Sequence, residues 1–205
     1  MKTVFRSSLL AALLASSGIA NAEWSANLGF MSEYYYRGIF QESTSANAGV
    51  DYENNGFFVG TWAADVGDGI EVDGFFGYGF AAGEVDLSVG YTGYFYTGDF
   101  DDTYQEINLG AALGLFSLDV AVGQYENFDG PTLDYTFYSL TVEKSGFYGT
   151  IGGFAQDFEG EYFEAGYTAE VAEVDLGVSF IYSNEDLIGE SDEAIIFTVG
   201  KSFDL

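Results

Sequence analysis

Apolar side chains recur at every second position along most of this chain. Val85, Leu87, Val89 and Tyr91 make one such run, and Ile107, Leu109, Ala111 and Leu113 the next. Leu118, Val120 and Val122 follow, then Tyr138, Leu140 and Val142, then Phe163, Ala165, Tyr167, Ala169 and Val171. Earlier runs are Trp24, Ala26, Leu28 and Phe30; Ala46, Ala48, Val50 and Tyr52; and Ile70, Val72, Phe76, Tyr78 and Phe80. Later ones are Val174 to Tyr182 and Ile195 to Leu205, where only Lys201 interrupts the apolar face. A period of two puts one face of a strand in an apolar medium and the other in a polar one. Segments 57–66 and 147–156 read as strands without a clear face. The pattern predicts twelve strands, most about ten residues long, as tilted bilayer-spanning strands are.

The connections alternate in kind. Short turns fall near 53–56, 81–83, 114–116, 144–146 and 171–173. Longer, more acidic loops fall near 38–43, 67–69, 97–103, 127–133, 157–160 and 184–192. Short turns on one side and longer loops on the other mark an up-and-down outer-membrane barrel. A free strand edge invites aggregation, so Ile195–Leu205 is expected to pair with Trp24–Tyr34 and close the barrel. Aromatics group at the turn side (Trp24, Phe58, Phe80, Phe116, Phe147, Phe203) and at the loop side (Tyr34, Tyr36, Phe95, Tyr182), a two-girdle pattern. The fold class is therefore an all-β transmembrane antiparallel barrel of about 12 strands, with ten or fourteen as neighbouring solutions. A soluble β-sandwich would bury its apolar faces and rarely shows this loop–turn asymmetry.

The first 22 residues differ. Lys2 and Arg6, an apolar stretch Leu9–Leu14 and the sequence Ala20-Asn21-Ala22 form a secretory signal peptide. Cleavage after Ala22 leaves one domain, 23–205. There is no cysteine, so no disulfide framework supports it.

All 33 acidic residues follow Ala22, against Arg37, Lys144 and Lys201, a net charge of −30 for that part. Phosphate binding needs a basic surface, which excludes nucleic acid as a partner. Cations are the natural partners, although adaptation to salt would produce the same excess. With no His and no Cys, the common nucleophile–base pairs of membrane hydrolases cannot be built, and no enzyme activity is expected.

Opposite parity gives the lumen. At mid-barrel it holds small residues, among them Gly77, Ser88, Gly90, Thr92, Asn108, Gly123, Ser139, Gly166, Gly177 and Ser179. They leave room for water or relieve curvature in a small barrel. Toward the loops, Glu33, Glu71, Asp73, Glu106 and Glu164 point inward. With them are Tyr35, Phe75, Tyr94, Tyr104, Tyr125, Tyr135, Phe137 and Tyr162. Carboxylates beside aromatic faces suit cations and would also suit sugars. Asp51, Asp86, Asp119, Glu143, Glu170 and Asp175 form a second acidic set at the turn end. Arg37 is expected to offset acidic neighbours, or to grip an anionic solute group. No cofactor is expected. The loops "DVGDGIEVD" (65–73) and "TGDFDDT" (97–103) carry enough oxygens to bind Ca²⁺ or Mg²⁺, without EF-hand spacing.

The segments "SEYYYRGIFQ" (32–41) and "YENNGFFVGTWAADVGDG" (52–69) resemble the TorF family of porins, with Tyr36-Arg37-Gly38 as the family's short motif and Gly60–Val66 as its Gly-Thr-Trp-Ala segment. The likeness is specific over about residues 26–80. It implies an outer-membrane channel without naming a solute. An alternating last strand also resembles the signal read by the outer-membrane assembly machinery, from whose usual terminal Phe or Tyr Leu205 departs. The expected function is passive diffusion of small solutes, with cations preferred. Lipid and lipopolysaccharide are the expected surroundings. A closed barrel serving structure or adhesion is the alternative.

Overall fold

The structure, a computed structural model, describes residues 23–205. The signal peptide expected over 1–22 lies outside the described residues. Among the described residues fourteen strands occur: β1 (Glu23–Met31), β2 (Tyr34–Tyr36), β3 (Ile39–Glu42), β4 (Ser45–Asn54), β5 (Phe57–Asp65), β6 (Ile70–Ala82), β7 (Val85–Tyr96), β8 (Tyr104–Leu113), β9 (Phe116–Tyr125), β10 (Leu133–Lys144), β11 (Phe147–Gln156), β12 (Glu161–Val171), β13 (Val174–Ser183) and β14 (Asp192–Asp204). One short helix, α1 (Glu185–Ile188), lies between β13 and β14.

Twelve of these strands, β1 and β4–β14, form a closed antiparallel barrel in which each strand pairs with its neighbours in sequence. Strand β1 closes on β14, with Ser25 opposite Asp204 and Met31 opposite Thr198. Closure removes both edges, as the alternating last strand requires. The two ends differ as the sequence suggests. Two-residue turns such as Asn55-Gly56 and Ser145-Gly146, with both residues at positive φ, join strands at one end. This backbone matches the twist of a hairpin. The longer connections all lie at the other end.

The period-two pattern sorts side chains cleanly. Leu28, Phe76, Tyr78, Val89, Ile107, Leu109, Leu118, Ile151, Phe180, Ile195 and Phe197 all face outward and are exposed. Ser88, Thr92, Asn108, Ala121, Ser139 and Ser179 are buried inside. A band of exposed apolar side chains this extensive is unfavourable in water. The ambiguous segments are also resolved: β5 turns Phe57 and Val59 out and Phe58 in, and β11 turns Ile151 out and Phe154 in.

Three expectations need correction. Strand β1 stops at Met31, not Tyr34, because the chain leaves the wall there and enters the barrel. Tyr34 and Tyr36 therefore belong to the interior and not to the loop-side girdle. Phe58, expected in the turn-side girdle, is 5% exposed inside the lumen.

Candidate functional site

The connection from β1 to β4 is the longest in the chain, and it carries its own hairpin, β2–β3. Its turn is Arg37-Gly38, with φ of 51° and 85°, placing Tyr36 opposite Ile39. The Tyr-Arg-Gly motif is thus a tight turn at a hairpin tip. Positive φ suits Gly38 and strains Arg37, so other contacts must hold the arginine in place.

Those contacts come from around the barrel. The Tyr34 hydroxyl donates to Glu71 on β6 at 2.8 Å. The Tyr36 and Tyr94 hydroxyls share a hydrogen bond, which ties the hairpin to β7. Arg37 donates through both terminal nitrogens to the two oxygens of Glu106 on β8, each at 2.7 Å. Its guanidinium lies 4.1 Å from the ring centroid of Phe137 on β10. Ser183 on β13 donates to the Gly38 carbonyl, and Tyr35 donates to Asp192 on β14. Partners on β6, β7, β8, β10, β13 and β14 surround the lumen, so the hairpin crosses it.

Glu106 is the anchor. Besides Arg37 it accepts from Tyr94 at 2.7 Å, Asn108 at 2.6 Å and Tyr135 at 2.9 Å. The Glu106 side chain is fully buried and that of Arg37 is 11% exposed. Burial pulls the guanidinium pKa down, but the Glu106 carboxylate and its hydrogen bonds more than offset this and leave Arg37 above its ordinary value. Tyr34 is pushed well above the usual phenol range, first by burial and then by Glu71 and Asp73. Both groups keep one protonation state through the physiological range.

Below the hairpin, small inward residues serve a purpose the sequence did not reveal. Phe58 stands opposite Gly77, Phe75 opposite Gly60, Tyr135 opposite Gly123, Tyr162 opposite Gly152 and Tyr148 opposite Gly166. A Cβ on Gly152 or Gly166 would lie 2.6 Å from the facing ring. Each such glycine is a seat for an aromatic from the next strand. Two of these seats, under Phe58 and Tyr148, lie beside the turns, and the loop half is packed throughout: Tyr135, Phe137, Phe154, Tyr162, Ile181 and Ile196 form one buried cluster, with Ile39 and Leu187 against it.

The turn half differs. Along β10, Tyr135, Phe137 and Ser139 are buried, whereas Thr141 and Glu143 are partly exposed. Along β13, Ser183, Ile181 and Ser179 are buried, whereas Gly177 and Asp175 are partly exposed. Toward the turn end the inward side chains are mostly polar and acidic and partly exposed, whereas the hairpin and the aromatic cluster fill the loop half.

The residues singled out from sequence fall at different depths. Arg37 and Glu106 form the central pair, Tyr94 bonds to Glu106, and Glu71 holds Tyr34. Asp73, two residues along β6, is fully buried. Tyr125 donates to Asp101 in the loop 97–103, and Tyr162 packs on Phe137 and against the hairpin tip. Glu164 accepts from Tyr148 lower in the barrel, and Glu33 is half-buried at the start of the hairpin. In the two acidic loops, Asp65 accepts from the Gly67 amide and Asp102 from the Thr103 and Phe128 amides. These carboxylates shape loops. Among the described residues, no group of three or more His, Cys, Asp or Glu is placed to hold a metal ion.

Sequence reasoning missed the hairpin's inward course, and with it Ser183, Phe58 and the bond to Glu106 made by Asn108, which parity had placed inside. One signal was present: "YYYRGIFQ" is two short apolar runs separated by two residues ending in Gly, which is itself a hairpin pattern.

No protein of curated function matches the chain in sequence. Among solved structures, one from a study of in-meso crystallization of membrane proteins superposes with a TM-score of 0.58, at 7% identity, over 89% of this chain and 84% of that one. The Pseudomonas aeruginosa OccK2 (OpdF) structure in complex with glucuronate gives 0.45 at 14% identity, covering 85% of this chain and 61% of that one. A BenF-like porin from Pseudomonas fluorescens Pf-5 gives 0.44 at 11% identity, covering 85% and 58%. The chain thus spans about three fifths of the length of either Pseudomonas protein. In sequence, a family model matches residues 15–126, a span that includes both segments resembling TorF porins, but it does not carry the TorF name. With more than half of its length matched, the chain belongs to the family described as bacterial protein of unknown function (Gcw_chp).

Proposed function

We propose that the chain is an outer-membrane channel of the TorF porin kind, passing small solutes by diffusion and preferring cations. One observation carries this reading: a closed barrel with an exposed apolar band outside and polar, acidic side chains inside, crossed by a hairpin of its own chain. Closed barrels and helices are the structures that satisfy their backbone in lipid. The apolar band then meets lipid, with lipopolysaccharide on the loop side, and the assembly machinery inserts the chain. Nothing in this reading calls for catalysis.

The turn-end acids Asp51, Asp86, Asp119, Glu143 and Asp175, with Glu33 and Glu164 above them, support the cation preference. A low-dielectric wall focuses such a field, and rings of acids give pores their preference for cations. The carboxylates read from sequence divide into two groups. Glu106 and Glu71 fasten the hairpin and Asp73 is buried beside Glu71, so replacing any of these disturbs the constriction itself. Glu33 and Glu164 are the ones to neutralise when selectivity alone is tested. The reversal potential of the purified protein across a KCl gradient tests the reading. Cation preference that falls in the Glu33→Gln/Glu164→Gln variant supports it, and anion preference overturns it.

The packed loop half favours a second reading, a closed barrel with a structural or adhesive role. That reading requires an inserted, folded protein that carries no current.

A further inference from the structure

We propose that Glu71 and Asp73 form a binding site for one small, hard metal cation, at the seam between the inward hairpin and β6. Both side chains lie on the inward face of β6, two positions apart, about 7 Å along the strand. Glu71 is 1% exposed and Asp73 0%. Among the described residues, neither carboxylate oxygen of Asp73 has a hydrogen-bond partner, and neither has Oε2 of Glu71.

The contrast with Glu106 makes this unusual. Glu106 lies at the same end of the barrel and takes both Arg37 nitrogens, two tyrosine hydroxyls and an asparagine amide. The donors nearest Asp73 are already engaged. Tyr94 stands opposite Asp73 on β7, but its hydroxyl serves Glu106 and Tyr36. Trp62 stands opposite it on β5, with its ring against Tyr34. Tyr34 serves one oxygen of Glu71, and Tyr96, opposite Glu71 on β7, brings a second hydroxyl close to it without a bond to Oε2.

A buried carboxylate without partners is strongly unfavourable, and two on one strand add mutual repulsion. A cation resolves both. The open donors are three carboxylate oxygens, with no nitrogen or sulfur, which selects a hard oxygen-seeking ion such as Ca²⁺. Two carboxylates leave the remaining coordination positions to water. Since Glu71 also holds Tyr34, the ion would fasten the hairpin to the wall beside the Arg37–Glu106 pair. The competing way to relieve the pair is a shared proton.

Calcium binding to the folded, chelator-stripped protein separates these. Titration calorimetry is done in detergent at about 0.15 M NaCl, which screens weak surface binding. The proposal expects one saturable site, weakened about ten-fold or more by Asp73→Asn and by Glu71→Gln. It expects that site unchanged by Asp186→Asn/Glu190→Gln in the exposed loop. It also expects calcium to raise the wild-type unfolding temperature more than sodium does at equal ionic strength, a readout that holds even where a variant fails to fold. No saturable site, or one lost equally in the loop variant, overturns the proposal. So does a calcium-indifferent wild type whose Asp73→Asn variant is the more stable, the sign of a protonated pair. The site is independent of the channel reading: calcium binding without conduction, or conduction without calcium binding, would separate them.

Discussion

Arg37 holds the interior together, and its worth can be measured. Removing one partner of a buried ion pair leaves the other uncompensated, at a cost of about 3–5 kcal/mol. Arg37→Ala and Glu106→Gln should each lower resistance to urea unfolding, because each strands the charge of the other. Arg37→Ala combined with Glu106→Gln should recover much of the loss, since Tyr94, Tyr135 and Asn108 can still serve a neutral amide. A double-mutant cycle in which the two losses simply add would contradict the coupling. Gly38 is constrained differently. Its φ is 85°, and a Cβ there would stand 2.6 Å from that of Tyr162 and 2.8 Å from Leu187. Gly38→Ala should cost about 1–3 kcal/mol and push the hairpin tip off its seat. Unchanged midpoints in the same urea titration would show that the tip has room to spare.

The hairpin is the element that turns a barrel into a constricted barrel. Its two strands contribute no pairing to the barrel wall, so shortening it should leave the wall intact. Replacing residues 33–43 by a short Gly/Ser linker should keep the β-sheet circular dichroism and heat-resistant gel mobility of the wild type. It should also enlarge the conducting path. Loss of the barrel in this variant would mean that the hairpin is structural core. The wall itself was legible from the chain, because outward-facing apolar alternation is set by the period of the strand and little else. The strand pairing of Ile195–Leu205 with Trp24 onward was legible for the same reason. The interior was less so. Parity tells that Gly123 faces inward, but only the register with β10 tells that Tyr135 lies over it. Parity likewise places Arg37 and Glu106 inside, yet they are 69 residues apart in sequence, and nothing local predicts that they meet. The inward course of β2–β3 depends on those long-range partners and on the space that seated aromatics leave.

On the scale of the whole molecule, charge and lumen act together. With only three basic residues in 23–205, one of them committed to Glu106, the interior field is strongly negative. Salt shortens its reach, from a Debye length of about 10 Å at 0.1 M to about 3 Å at 1 M. Cation preference should therefore weaken as KCl is raised at a fixed concentration ratio. A reversal potential indifferent to absolute salt would assign selectivity to contact chemistry at the constriction in place of the interior field. The most direct measurement is current through single molecules in a planar bilayer, with wild type and the hairpin-shortened variant compared under one salt condition. The account predicts small discrete steps from the wild type and clearly larger ones from the variant. Silent insertion of both, with folding verified by circular dichroism, would contradict it.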